Sequence, residues 1–128
     1  MLAADPDAEP LLAAEIGPLE GGRFRWTGQH PAVRLELSKT DGLRLRARFW
    51  VAEEALRQTG PIEIAYVVNG AVVGRERYST PGEQVFDKPV AADVLRTGVN
   101  EVRLEIDKVY RHDDARLGVA LVELGFAD

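Results

Sequence analysis

From Phe24 onward, apolar and polar positions alternate with a period of two. Val33, Leu35 and Leu37 fall on one side of the chain and Arg34 and Glu36 on the other, as a half-buried strand requires. Leu43, Leu45, Ala47, Phe49 and Val51 then alternate with Arg44, Arg46, Arg48 and Trp50, and Thr40, Asp41 and Gly42 supply the reversal between the two strands. Residues 62–68 and 71–78 are β-rich runs separated by Asn69 and Gly70. Both of those residues tolerate positive φ, so a tight hairpin is predicted. Val85 and Phe86 open a further short strand, and Val102, Leu104 and Ile106 alternate with Glu101, Arg103, Glu105 and Asp107. Residues 118–126 form the last strand. Only Glu123 is charged among residues 119–124, which reads as a central strand covered on both faces.

Helical signals are confined to single turns at residues 52–58, stopped by Gly60 and Pro61, and at residues 91–95. A parallel α/β sheet needs crossovers of about ten or more residues, and none is present. The pattern therefore predicts an all-β antiparallel β-sandwich or jelly roll of seven to eight strands, with single-turn helices in the connections. Residues 111–116 read as a polar loop leading into the last strand.

Charge sharpens the boundaries. The 128 residues carry 16 Lys and Arg against 21 Asp and Glu, a net charge of −5. Asp5, Asp7, Glu9, Glu15 and Glu20 lie in residues 1–20, which contain no base, so the remaining chain is neutral. Pro6, Pro10 and Pro18 close every long helix there. Residues 1–20 are expected to be an acidic leader or linker and residues 21–128 the β-sandwich domain. A short turn around Leu11, Leu12 and Ala14 is compatible with Pro10 at its first position, and Ile16 is placed to dock on the sheet. The leader is either free or seated on the arginine-bearing face around Arg44, Arg46 and Arg48.

A neutral domain argues against nucleic acid, which needs a basic excess on some face. The absence of cysteine excludes disulfides, thiolate metal sites and cysteine nucleophiles. No stretch approaches the roughly 18 apolar residues of a membrane span. The start of the sequence also lacks a basic region followed by an apolar run, so no signal peptide is visible and the cytoplasm is favoured.

Residues 62–106 resemble the galactose-binding-like β-sandwich modules, particularly the sugar-binding domains of family 2 glycoside hydrolases. The matching positions are Val68, Asn69, Gly70, Val73 and Gly74, then Phe86, then Leu95, Gly98, Asn100, Val102 and Leu104, over about a third of the chain. Phe24, Arg25, Trp26 and Gly28, together with Asp114, Arg116, Leu117, Gly118, Val119 and Ala120, look like the small β-sandwich modules that accompany bacterial glycosyltransferases. In both families the module is accessory, so the resemblance implies carbohydrate association without catalysis. No catalytic barrel follows, and no paired glutamates can be assigned.

The candidate contact set comprises Trp26, Trp50, Arg111, His112, Asp113, Asp114 and Arg116. An indole stacks on a sugar ring or anchors a partner, and guanidinium, imidazole and carboxylate groups match vicinal hydroxyls. The plain alternatives are burial of both tryptophans and a solvated turn at residues 111–116. Calcium at Asp113 and Asp114 is weakly motivated, because such sites take six to eight oxygens. Ser38 and Ser79 lack a nucleophile-elbow pattern, and no phosphate-loop glycines occur. The Arg44, Arg46 and Arg48 row invites an anion, but cross-strand pairing with outward acids such as Glu36, Glu101 and Glu105 explains it better.

The expectation is thus a non-catalytic carbohydrate-associated module with no cofactor and no metal. The alternative is an interaction or scaffold module with no small-molecule ligand. It would form a homodimer or dock on a larger carbohydrate-active enzyme.

Overall fold

A computed structural model describes residues 1–3 and 12–128. Ten strands occur among them, with α1 at Glu53–Thr59 and a 3-10 turn at Ala92–Val94. The strands are β1 (Leu12–Glu20), β2 (Phe24–Leu37), β3 (Arg44–Val51), β4 (Ile62–Val68), β5 (Ala71–Tyr78), β6 (Gly82–Pro89), β7 (Gly98–Ile106), β8 (Tyr110–His112), β9 (Ala115–Leu117) and β10 (Ala120–Ala127). Among the described residues, no helix is long and apolar enough to cross a membrane.

The sheet runs β5-β4-β7-β2-β10-β3-β6, with β1 added along β2. Its pairings are antiparallel. The 14-residue β2 serves two neighbours: Arg25 and Trp26 pair with β10, and Ala32 to Leu37 pair with β7. The sheet curls about this shared strand into two facing layers, an all-β sandwich. Tyr66 of β4 stacks on Phe86 of β6 at 3.7 Å between ring centroids, and Phe49 of β3 meets Tyr78 of β5 edge-on at 5.2 Å. A Cβ on Gly74 of β5 would lie 2.8 Å from the Phe86 ring, so the two sheet edges approach at a position only glycine fills. The alternating apolar positions fill the space between the layers, from Leu45, Ala47, Phe49 and Val51 to Val102, Leu104 and Ile106.

Asn69 and Asn100 secure one end of the sandwich. Asn69 occupies the hairpin turn at φ 50°. Its Nδ2 donates to Val94 O and Asn100 Oδ1, and its Oδ1 accepts from Glu101 N. Asn100 is wholly buried. Its Nδ2 donates to Arg96 O and Gly98 O, while its Oδ1 also accepts from Arg96 N. Each buried polar atom is therefore satisfied, which is the condition for placing an amide in a core.

Two short segments differ from the sequence reading. The polar loop expected at residues 111–116 is a β8–β9 hairpin, with Arg111 opposite Arg116 and the turn made by Asp113 at φ 53° and Asp114. Of the acidic leader, residues 4–11 lie outside the described residues, including Pro10 and Leu11 of the expected turn. Residues 1–3 lie along β10, where Met1 N donates to Leu124 O and Ala3 N to Val122 O, and residues 12–20 form β1 against β2. Arg25, buried on β2, joins both stretches: its Nε donates to Ala3 O at 2.9 Å and its Nη1 to Gly17 O at 3.3 Å. Arg44 and Arg46 of β3 engage Asp87 and Glu123 from the flanking strands, whereas Glu101 and Glu105 pair with Arg103.

Gly118 marks the tightest crossing, where the chain enters β10 over β2. A Cβ there would meet Gly28 O at 2.5 Å, Ile106 Cδ1 at 2.6 Å and Thr27 Oγ1 at 2.7 Å. Backbone and core both block it, so Gly118→Ala is expected to cost about 3 kcal/mol or more by overpacking. A denaturant titration measures this directly, and an unchanged midpoint would contradict the crossing.

A second expectation concerns alkaline pH. The Tyr66 and Tyr78 hydroxyls share a hydrogen bond in the core. Burial pushes Tyr78 up to about 12 and Tyr66 further upward, the neighbouring Tyr78 adding to the latter shift. Burial, with Glu54 nearby, also raises Tyr110. A raised folded value means the stabilisation is complete below a tyrosine's ordinary 10.0 and is lost as pH climbs through the folded value. Stability should therefore fall from about pH 10 upward, with tyrosinate absorbance appearing together with unfolding. A tyrosine titrating at its ordinary value in the folded chain would contradict this.

Candidate functional site

A cleft of about 940 Å³ opens between β1 and the β8–β9 hairpin. β1 supplies Glu15, Ile16, Gly17, Pro18 and Glu20. Trp26, Thr27 and Gly28 come from β2, and residues 112–117 form the opposite wall.

The β1 wall is irregular for a physical reason. Its register against β2 shifts three times, and Glu15 takes φ 52°, unusual for a residue with a side chain. The Glu15 Oε1 accepts from the backbone N–H groups of Gln29 and His30, both at 3.1 Å. This carboxylate substitutes for the ladder partners that the irregular register does not provide. A Cβ on Gly28 would lie 2.7 Å from the same oxygen, so glycine leaves room for it.

Thr27, buried beneath the cleft, joins β2 to the start of β10. Its N–H donates to Val119 O and its carbonyl accepts from Gly118 N, while its hydroxyl accepts from Val119 N at 3.1 Å and donates to Gly28 O.

Trp26 is half-buried and fixed on two sides. Phe24 stands edge-on to it at 5.5 Å between centroids, and Tyr110 at 6.1 Å. Tyr110 is itself buried at the base of the hairpin, which α1 braces: Gln58 Nε2 donates to Arg111 O, and Gln58 Oε1 accepts from Arg111 N. Nδ1 of His112 lies 3.6 Å from a Glu54 carboxylate oxygen, and the Asp113 side chain is 93% exposed. Arg116 is also exposed. The indole therefore sits in a mostly solvated rim of donors and acceptors. Among the described residues, no group of three or more His, Asp or Glu side chains is arranged to hold a metal ion.

Of the candidate contact set, the fold brings Trp26, His112, Asp113, Asp114 and Arg116 to one cleft. Arg111 lies on β8 outside the lining, tied through its backbone to Gln58. Trp50 does not line the cleft and is 52% exposed on the outer face of β3. Glu15 and Thr27 were not singled out from sequence. Gly28 was a visible signal for a close approach, but its partner lies in a segment with no strand periodicity.

No family model and no curated protein matches this chain. The fold is an all-β sandwich. It is similar to a solved family 35 carbohydrate-binding module from an environmental isolate, with a TM-score of 0.60 over 91% of this chain and 86% of that one. The two sequences are 12% identical, so the likeness is one of fold.

Replacing Glu15 by Ala removes the acceptor for two amides. The expected outcome is a stability loss of about 1 kcal/mol and faster hydrogen exchange at Gln29 and His30. Unaltered protection of both amides would show that the β1 wall does not depend on the carboxylate.

Proposed function

We propose that the chain is a non-catalytic carbohydrate-binding module whose ligand lies in the cleft between β1 and the β8–β9 hairpin. The observation that carries this reading is the placement of Trp26. Its ring is braced by Phe24 and Tyr110 yet lines an open cleft rimmed by Asp113, Asp114, His112 and Arg116. A pyranose presents apolar C–H groups on its faces and hydroxyls around its edge. A rigid indole suits the first, and carboxylates and a guanidinium suit the second. The rim groups are exposed, so binding need not displace a buried network, and the low enclosure of the cleft favours weak, reversible association. The fold likeness to a carbohydrate-binding module supports the same reading.

Titration calorimetry and chemical-shift mapping against a panel of mono- and oligosaccharides test it. Saturable binding is expected, with shifts at Trp26 and residues 112–117. Trp26→Ala should weaken affinity by at least about tenfold, the scale of losing one aromatic anchor, and Asp114→Asn by less. Absence of any shift at millimolar sugar would sink the reading.

A further inference from the structure

Trp50 is 52% exposed on β3 and lies outside the cleft lining. Its place in the sheet nevertheless ties it to the cleft. Ala120 of β10 is opposed by Trp26 on one side and by Trp50 on the other. Directly opposed residues in an antiparallel ladder point to the same side of the sheet. The two indoles therefore stand on one face and in one row, their Cα atoms two strand spacings apart, about 10 Å. Ala120 between them ends at a methyl group, so the row itself sets no large side chain between the rings.

The surroundings of Trp50 suit a sugar better than a protein. Beyond it the row continues to Glu83, which is exposed, and Arg48 lies two positions back on the same face of β3. In the adjacent row, Leu2 and Val85 are held apart by Glu123 and Arg48. The face thus lacks the apolar centre on which a protein interface is built. A single aromatic ring among charged groups matches the C–H face and hydroxyl edge of a pyranose instead. Trp26, with Asp114 and Arg116 in the same cleft, offers the same combination at the other end of the row.

The spacing indicates chain length and linkage. A β-1,4-linked hexopyranose chain is an extended ribbon in which successive units turn over, so every second unit offers the same face to one side. Two units along such a ribbon cover about the length of two strand spacings. A unit stacked on Trp26 therefore brings the next but one over Trp50, with the intervening unit above Ala120. An α-1,4-linked chain coils and leaves this line.

We infer that Trp26 and Trp50 are two subsites of one strip, and that its ligand is an extended β-1,4-linked hexopyranose chain of at least three units. This rests on the carbohydrate reading of the cleft.

Titration of the full chain with cello- and chito-oligosaccharides of one to five units tests it, with the malto series as the coiled control. Affinity is read by calorimetry, and the indole N–H signals of the two tryptophans by magnetic resonance. Affinity should rise at least about tenfold between two and three units in one of the β-linked series, the scale of gaining an aromatic anchor, and both indole signals should move. Trp50→Ala should erase that gain while the monosaccharide titration and the thermal melt stay unchanged, whereas Trp26→Ala should weaken binding at every length. Affinity independent of length, shifts confined to Trp26, or a gain that survives Trp50→Ala overturns the strip and leaves the cleft reading standing. An equal gain in the malto series overturns the linkage assignment, as does silence of both β-linked series while another sugar shifts Trp26. Silence of every sugar removes the strip and the cleft reading together.

Discussion

The crossing of the segment entering β10 over β2 constrains the molecule more than any other contact. With Gly118 packed against the Gly28 carbonyl and the Thr27 hydroxyl, no side chain fits between the strands. Thr27 then uses its N–H, carbonyl and hydroxyl to fasten the crossing. Because β2 is held there by β10 and farther on by β7, it belongs to both layers, and the curl of the sheet follows. The same contact fixes the floor of the cleft, since Trp26 precedes Thr27 and Leu117 precedes Gly118. Fold and candidate site thus share one geometric requirement.

Elements with strong local chemistry were legible in the sequence. Asn69 and Gly70 make the predicted hairpin turn, Gly60 caps α1, and the alternation across β3 correctly set Trp50 beside the arginines and away from Phe49. Asn100 stood out in the sequence as a position matching the galactose-binding-like pattern. Its larger role, linking two turns through a buried amide network, depends on contact with Asn69 across 31 positions. β1 was illegible as a strand because its repeated register shifts erase a period of two, and Pro18 reads as a stop. β8 and β9 are three residues each, too short to generate a pattern.

The site shows the same division. Residue chemistry put Trp26 and residues 111–116 into one candidate set, but no local pattern shows how they meet, because Trp26 and the hairpin are separated by most of the domain. Only the β2–β10 crossing brings them together. Trp50 carried the same chemical signal as Trp26, yet its strand position directs it to the opposite side of the Ala120 position along the row. Arg44 and Arg46 pair across strands as expected, although with different partners, while Arg48 Nε finds no acceptor among the described residues. Asp87 and Glu123 are the cross-strand neighbours of β3, and strand order, which the sequence leaves open, decides who those are.

The β8–β9 hairpin forms a two-stranded sheet of its own, outside the ladder that organises the sandwich. Its attachment rests on Tyr110 beneath and on Gln58 beside it, while residues 112–116 at its tip are exposed. The tip can therefore exchange residues, or lengthen, without disturbing a core hydrogen bond. The scaffold thus carries a replaceable finger, whose tip can change what it presents to solvent while the folding problem stays solved.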